Sequence, residues 1–370
     1  MPPYLGSHSH GQQTRLAIKP YPNILRHIYH HNEPFMLESG ASLPDFTIAY
    51  HTYGQLNPQC DNVIWVCHAL TANSDVADWW PGTVVKGGFL DPEENFVICA
   101  NIIGSCYGTT GPMSINPATR RPYYRSFPDY TMRDIARAHS LLADALGLRS
   151  IKALIGSSVG GFQALEWAAE EPERFGKIVL CATDAYASPW TIAVDETQRM
   201  AIFSDPTYFE DCPAGGAKGL AAARAIGLLT YRGPEGYNLT QQDPATTHYW
   251  DTANQAVTAP HRACTYQRHQ GDKLVKRFDA YSYCAILQSF DTHNIGRDRG
   301  GIAAALSRIN APTLVISVST DIIFTPAEMR RLADMLPDAT YREITSPFGH
   351  DGFLVEYESL NSLLIPFMHR

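Results

Sequence analysis

The chain has 370 residues, 45% of them hydrophobic, so it can bury a large core in two domains or in one α/β domain with a large insertion. Its 37 Asp and Glu outnumber its 29 Lys and Arg, which gives a net charge of −8 and argues against a nucleic-acid-binding surface. The sequence has no stretch of about 18 apolar residues, so it predicts no membrane span.

The first 13 residues are rich in Pro, Ser, Gly and His, and they lack the apolar stretch of a secretion signal. This composition predicts disorder. The eight cysteines are scattered singly without a CxxC pair, which together with the missing signal predicts reduced thiols and a cytoplasmic protein. The histidines near the start have no Cys or carboxylate partner at ligand spacing, so no bound metal is expected.

Short β-branched runs bounded by Gly, Pro or Asp predict strands that are covered on both faces. In the first half of the chain these runs are Phe46–Tyr53, Asn62–Cys67, Asn95–Ile103, Lys152–Ile155 and Lys177–Cys181. Between them, helical spacing predicts a helix over Thr131–Leu146, opened by Asp129, and a second over Phe162–Glu170, which ends before Pro172. Strands that alternate with helices imply a mostly parallel sheet covered by helices.

The pattern changes after Asp184. From about Ala185 to Arg299 the helical segments are polar and interrupted by glycine, with no clear strand. Strand character returns at Pro312–Val318 and Thr340–Ile344, with a helix over Pro326–Leu336 between them. The sequence therefore predicts one α/β core made of residues 1–184 and 300–370, with a helical insertion over residues 185–299.

A candidate nucleophile lies in Gly156-Ser157-Ser158-Val159-Gly160. This Gly-x-Ser-x-Gly pattern follows a predicted strand directly and opens a predicted helix, which is the setting of a nucleophile elbow. The glycines permit the tight turn, and the helix N-terminus stabilises negative charge near the serine. Outside this context the pattern would be an ordinary glycine-rich turn.

A serine hydroxyl needs a base to accept its proton, and an α/β-hydrolase fold supplies its triad in the order serine, acid, histidine. Asp321 follows the predicted strand Pro312–Val318, and His350 follows the last predicted strand. We therefore predict Ser158, Asp321 and His350 as a catalytic triad in which Asp321 orients the imidazole without taking the proton.

The oxyanion hole of this fold combines the amide after the nucleophile with an amide from the loop after an early strand. These positions predict the Val159 N–H as one donor and the Leu70 N–H as the other. His68 lies in the same loop, 90 residues before Ser158, so we expect it to brace the loop rather than to act as the base.

Five segments extend the pattern beyond the elbow: HALTANSD from His68, NIIGSCYGTTGPMSINP from Asn101, GSSVGGFQALEW from Gly156, RFDAYSY from Arg277 and GHDGFL from Gly349. In these segments the chain resembles the homoserine O-acetyltransferase family of methionine biosynthesis. The resemblance extends from about Phe46 to Phe353. The elbow departs from that family's usual Gly-Gly-Ser-Met-Gly-Gly, because Ser157 replaces a glycine and Val159 replaces a methionine. These two changes put the shape of the acyl pocket in question.

The resemblance implies a ping-pong acetyl transfer from acetyl-CoA to L-homoserine through Ser158, with no permanently bound cofactor. It also implies that the insertion is a lid that forms a tunnel to the serine and helps to build a homodimer. By position, Arg199 matches the family's arginine for the substrate carboxylate, Asp351 its acid for the substrate ammonium, and Tyr231 its tunnel tyrosine. A cationic fork and a carboxylate at fixed separation suit an amino-acid acceptor.

Other readings stay open at this point. The donor could be succinyl-CoA or the acceptor L-serine, because one methylene is worth only about 1–3 kcal/mol of discrimination. Water could also cleave the same acyl-serine, which would make the protein an ester hydrolase. A binding protein that kept the fold without catalysis is less consistent with a complete Ser158, Asp321 and His350 set.

Overall fold

A computed structural model describes residues 25–244 and 261–369; the first 13 residues, predicted to be disordered, lie outside this range. Its centre is an eight-stranded sheet. In chain order its strands are β1 Leu25–His31, β2 Phe46–Tyr53, β3 Val63–Cys67, β4 Phe96–Ala100, β5 Ala153–Ser157, β6 Ile178–Cys181, β7 Thr313–Val318 and β8 Ala339–Ile344. All strands predicted from the sequence are present, while β1, a polar and histidine-rich run, was not predicted.

The order of strands across the sheet is β1-β2-β4-β3-β5-β6-β7-β8. The first three strands in this order pair antiparallel, and β4, β3, β5, β6, β7 and β8 run parallel to one another. The predicted mostly parallel sheet is therefore confirmed. The carboxyl ends of β3, β5, β7 and β8 meet at one edge, where an α/β sheet commonly places its ligand site.

Helices cover both faces of the sheet. In chain order the helices of the described residues are α1 Val76–Trp79, α2 Met132–Ala145, α3 Val159–Glu170, α4 Pro189–Phe203, α5 Ala217–Tyr231, α6 Pro234–Thr240, α7 Arg262–Val275, α8 Ala280–Asp291, α9 Ile302–Leu306, α10 Pro326–Met335, α11 Gly352–Val355 and α12 Tyr357–Met368. Alternate residues of β3 enter opposite cores: Trp65 belongs to the core that includes α2, α3 and α10, and Ile64 to the core that includes α1 and α12.

Two helix starts differ from the prediction. Helix α2 begins at Met132, one residue after its predicted start, and its N-cap is Thr131 rather than Asp129, because Thr131 and Asp134 form a reciprocal capping box. Helix α3 begins at Val159, directly after the candidate nucleophile, and not at Phe162. The first turn of α3 therefore contributes its free backbone N–H groups at Ser158.

Helices α4 to α8 lie between β6 and β7, and we call them the inserted helices. Their glycines mark close backbone contacts: a Cβ at Gly219 of α5 would lie 2.5 Å from the Ile202 Cα of α4. A Cβ at Gly271 of α7 would likewise lie 2.6 Å from the Ala221 carbonyl oxygen of α5. The glycine interruptions seen in the sequence thus let α5 pack tightly between α4 and α7.

No helix within the described residues is both long and apolar enough to cross a membrane. Within residues 25–244 and 261–369, no group of three or more His, Cys, Asp or Glu side chains is arranged to hold a metal ion.

Candidate active site

Ser158 occupies the sharp turn between β5 and α3. Its φ of 54° lies in the left-handed region, which a residue with a side chain seldom adopts. A Cβ at Gly156 would lie 2.3 Å from the Gly160 carbonyl oxygen, and a Cβ at Gly160 would lie 2.1 Å from the Cys67 carbonyl oxygen. Only glycine fits at both positions, so the predicted strand–turn–helix elbow is confirmed and has a steric cause.

His350 lies in a 3₁₀ turn, Gly349–Asp351, that follows β8. Its Nε2 is 2.9 Å from Ser158 Oγ, and its Nδ1 is 2.7 Å from Asp321 Oδ2. The other oxygen of Asp321, Oδ1, accepts the backbone N–H groups of Ile323 and Phe324 at 2.8 and 3.1 Å. The structure therefore brings together the three side chains that the sequence predicted as a triad, and the backbone after β7 fixes the carboxylate.

The electrostatics of His350 suit a proton acceptor. Burial lowers the pKa of His350, but the negative charges of Asp321 and Asp351 outweigh it, so the pKa is raised above the ordinary value of 6.5. With its Nδ1–H donated to Asp321, the imidazole presents the lone pair of Nε2 to the Ser158 hydroxyl.

The loop after β3 lies against the start of α3. His68 is buried, its Nδ1–H donates to the Ala69 carbonyl at 2.9 Å, and its Nε2 accepts the Ile102 N–H at 3.3 Å. Burial lowers the pKa of His68 to about 4, so the ring is a neutral brace, as predicted. Gln163 of α3 donates to the carbonyls of His68 and Val159, both at 3.3 Å, and so ties the loop to the helix.

The two residues predicted as oxyanion donors lie on either side of this contact. Val159 is the first residue of α3, so its N–H has no partner inside the helix. Leu70 lines the cavity that contains Ser158 and His350. The structure thus keeps both backbone positions near the serine.

This cavity has a volume of about 450 Å³ and two unlike walls. We call the apolar part of its lining the apolar wall, and it includes Leu70, Val194, Phe290, Ile323, Phe324 and Phe353. The inserted helices and the His350 turn supply a charged wall with Asp195, Arg224, Tyr231, Arg232, Lys273, Arg277 and Asp351. A small apolar group and a polar, charged molecule can therefore meet at Ser158.

Arg199, predicted to bind a substrate carboxylate, is not part of this cavity. Its guanidinium pairs with Asp291 at 2.6 Å and with Glu196 at 2.8 Å. It lines a separate cavity of about 270 Å³ beside Phe203 and Tyr208. The structure therefore does not bring Arg199 to the place predicted for it: where α4 packs against α8, its guanidinium is held in an ion pair with Asp291.

Arg224 is the arginine that the sequence reasoning missed. It lines the cavity, its guanidinium carbon is 5.5 Å from the centroid of the Tyr231 ring, and no described carboxylate forms an ion pair with it. Arg224 stands two helical turns before Tyr231 on α5, but this spacing alone does not show that their common face points at the cavity. Tyr231 itself lies where it was predicted, with its ring centroid 6.1 Å from that of His350.

Two carboxyl groups on the charged wall have different electrostatics. Asp351 pairs through Oδ2 with Arg232 Nε at 3.0 Å, and its Oδ1 has no hydrogen-bond partner within the described chain. Burial, and then the nearby charge of Asp291, raise the pKa of Asp195 well above its usual range. Asp195 is therefore harder to ionise than an exposed aspartate, whereas the predicted Asp351 lines the cavity and keeps one oxygen without a partner in the described chain.

Comparison with known proteins agrees with this geometry. Residues 62–357 match the family model of the alpha/beta hydrolase fold. A homoserine O-acetyltransferase from Cyclobacterium marinum is 45% identical over 356 residues, which cover 96% of this chain and 97% of that protein. The chain belongs to the homoserine O-acetyltransferase family. It does so over nearly its whole length.

Solved structures extend the likeness at the level of the fold. A homoserine O-acetyltransferase from Bacillus anthracis superposes with a TM-score of 0.85 at 24% identity, covering 94% of this chain and 98% of that one. Esterase E22 superposes with a TM-score of 0.84 at 22% identity, covering 93% of this chain and 100% of that one. The fold of this family thus also occurs in an esterase, so the fold alone does not separate transfer from hydrolysis.

The two departures from the family's usual elbow leave the cavity wall intact. Ser157 is 1% exposed, and its hydroxyl has no hydrogen-bond partner within the described residues. Val159 is fully buried in the core between the sheet and α3. Neither side chain lines the cavity, so both substitutions act beneath the site and not on the shape of its wall.

Proposed function

We propose that this chain transfers an acetyl group from acetyl-CoA to the hydroxyl of L-homoserine, with Ser158, His350 and Asp321 as its catalytic triad. The observation that carries the proposal is the imidazole of His350, which bridges the hydroxyl and the carboxylate inside a cavity of a homoserine O-acetyltransferase family member. No resident cofactor is required, because both substrates bring their own reacting groups.

The first half-reaction forms an acetyl-enzyme. His350 Nε2 takes the hydroxyl proton while Ser158 Oγ attacks the thioester carbonyl. The negative charge on the carbonyl oxygen is stabilised by the N–H groups of Val159 and Leu70. The C–S bond then breaks, the thiolate takes the proton from His350, and CoA leaves with the acetyl group bonded to Ser158.

The second half-reaction repeats these steps with homoserine in place of the serine. The homoserine hydroxyl gives its proton to His350 and attacks the acetyl carbonyl. Ser158 is the leaving group and takes the proton back, which restores the enzyme and releases O-acetylhomoserine. Water in the same position would hydrolyse the intermediate, so the acceptor must be held firmly and must exclude water from the site.

We assign the recognition of homoserine to the charged wall. Arg224 is the cationic fork for the α-carboxylate, because it has no carboxylate partner among the described residues. Asp351 Oδ1 receives the α-ammonium, and Asp195 is the weaker partner for it because burial raises the pKa of its carboxyl and disfavours the charged form. Burial raises the pKa of Tyr231 to about 12, so its phenol stays protonated and can donate a hydrogen bond beside Arg224.

We further propose that residues 185–299 act as a lid on a core of residues 1–184 and 300–370. The inserted helices supply the charged wall, and α5 ends over the His350 turn, where a Cβ at Gly349 would lie 2.5 Å from the Gly233 nitrogen. The apolar side chains Met200, Phe203 and Leu229 are exposed on these helices, which supports a homodimer formed through the lid. Eight free cysteines support a reducing, cytoplasmic setting.

A matrix of donors and acceptors tests the activity. CoA release is measured with acetyl-CoA or succinyl-CoA in the presence of homoserine, serine or neither. We expect fastest release with acetyl-CoA and homoserine, parallel double-reciprocal plots, and an acetylated Ser158 when the acceptor is left out. CoA release at the same rate without any acceptor would instead identify a hydrolase, and Ser158→Ala is the control for background reaction.

A further inference from the structure

Four cationic side chains line the cavity of a chain whose net charge is −8. Arg232 is neutralised by Asp351, and Arg224 lies beside Tyr231 on the acceptor side. The other two, Lys273 and Arg277, stand four residues apart at the carboxyl end of α7. Neither forms an ion pair with a carboxylate in the described parts of the chain.

Lys273 and Arg277 form the outer rim of the cavity. Both side chains are exposed, whereas Ser158 and His350 at the cavity floor are 9% and 5% exposed. Arg277 is held in place, because its guanidinium donates to the Thr71 carbonyl and to the Tyr107 hydroxyl. The rim cations therefore stand at the opening of the cavity that leads to the serine.

The rim carries a net positive charge. Asp78 is the carboxylate that lines the cavity beside the loop after β3, and its Oδ2 accepts a hydrogen bond from Asn73 at 3.2 Å. Among the described residues that line the cavity, Lys273 and Arg277 outnumber Asp78 as exposed charges, since Asp351 is paired with Arg232 and Asp195 is buried. An anion with more than one charge is therefore the ligand that the rim suits.

We propose that Lys273 and Arg277 bind the phosphate groups at the nucleotide end of the acyl-CoA donor. This inference rests on the proposed function, which requires the thioester of acetyl-CoA at Ser158. In that donor the thioester and the phosphates lie at opposite ends of a long, uncharged pantetheine arm. An arm that runs through the 450 Å³ cavity places its reacting end on the floor and its anionic end at the rim.

The rim residues hold the donor and take no part in bond making. Their contribution is an electrostatic attraction between exposed groups, so it acts on donor capture and weakens as salt screens the charges. A donor without phosphates gains nothing from it. Homoserine has no phosphate either, so the rim does not discriminate between acceptors.

The test compares acetyl-CoA, acetyl-dephospho-CoA and S-acetylpantetheine as donors in wild-type protein and in Lys273→Ala, Lys273→Glu and Arg277→Gln. The measured quantity is the ratio of kcat/KM for acetyl-CoA to that for S-acetylpantetheine. We expect the ratio to fall about fivefold in Lys273→Ala and in Arg277→Gln, and further in Lys273→Glu, as for exposed charge pairs. The intermediate donor shows whether the 3′-phosphate or the diphosphate carries the effect.

Lys276→Ala is the matched control, because Lys276 is an exposed lysine of the same turn that does not line the cavity. We expect its donor ratio to equal that of the wild type. The wild-type kcat/KM for acetyl-CoA, but not that for S-acetylpantetheine, should decrease with added salt.

The inference is overturned if the Lys273 variants keep the wild-type donor ratio, or if they slow all three donors equally. A failure of the proposed function has a different signature, because then no donor acetylates the wild-type serine. Equal kcat/KM for all three donors in the wild type would refute the phosphate site and leave acetyl transfer standing.

Discussion

Replacing Arg224 by alanine tests whether Arg224, which lines the cavity, or Arg199, which the sequence favoured, binds the substrate carboxylate. Arg224 is half-buried and has no carboxylate partner among the described residues, so its guanidinium is available to a substrate carboxylate. Charge-assisted hydrogen bonds of this kind are worth about 1.5–3 kcal/mol. Since about 1.4 kcal/mol corresponds to a tenfold change, kcat/KM for homoserine should fall by about 10- to 150-fold.

The assay follows both half-reactions. In Arg224→Ala the burst of CoA release that reports acetylation of Ser158 should persist, while transfer to homoserine becomes slow and its KM rises. Arg199→Ala is the comparison: it leaves Asp291 without its partner and should lower the free energy of unfolding by up to about 3 kcal/mol. A larger rise in the homoserine KM for Arg199→Ala than for Arg224→Ala would refute the assignment of the carboxylate site.

Three further substitutions test the electrostatics. Asp321→Asn should lower the rate of Ser158 acetylation by about 10³–10⁴-fold, because the imidazole loses the acceptor that fixes its tautomer. Stopped-flow measurement of CoA release gives this rate, and a decrease of less than tenfold would contradict the role of Asp321. Asp351→Asn removes a negative charge that raises the pKa of His350, so the acid limb of the pH profile of the acetylation rate should move to lower pH. An unchanged acid limb would show that the charge of Asp351 does not act on His350. In Glu166→Gln, the buried Arg299 loses the nearer of its two carboxylate partners, at 2.5 Å, and keeps Glu170 at 2.9 Å. The loss should cost about 3 kcal/mol in urea unfolding. Burial raises the pKa of Glu166, but its histidine and arginine neighbours lower it to about 2. The stability that the charged Glu166 gives the wild-type protein should therefore be lost as the pH falls from about 4.3 towards about 2, whereas Glu166→Gln should not show this loss.

The elbow and the order of the triad could be predicted from the sequence because both depend on local rules. A Cβ at Gly156 would collide with the Gly160 carbonyl, and a Cβ at Gly160 with the Cys67 carbonyl beneath the turn. Both positions therefore require glycine, which gives the Gly-x-Ser-x-Gly pattern. Asp321 and His350 each follow a strand, and parallel strands bring their carboxyl ends to one edge. The central apolar strands were equally predictable, since burial on both faces leaves a continuous hydrophobic run.

The edge strand and the arginine that lines the cavity could not be found in this way. Strand β1 pairs with β2 on one side only, so its residues need not be apolar, and the polar run Leu25–His31 gives no strand signal. Arg199 and Arg224 are both arginines on helices of the insertion, and composition does not say which one faces the serine. That choice depends on how each helix is rotated about its axis.

The sequence by itself thus determined which serine, histidine and aspartate meet at the turn after β5, and the sheet that supports them, because each of these leaves a pattern in a few neighbouring residues. The tertiary structure determined which side chains form the charged wall and the rim of the cavity. Where α4 packs against α8, Arg199 forms an ion pair with Asp291. Where α5 packs over the His350 turn, Arg224 lines the cavity. Such rotations are set by contacts between helices distant in the chain, and no local pattern records them.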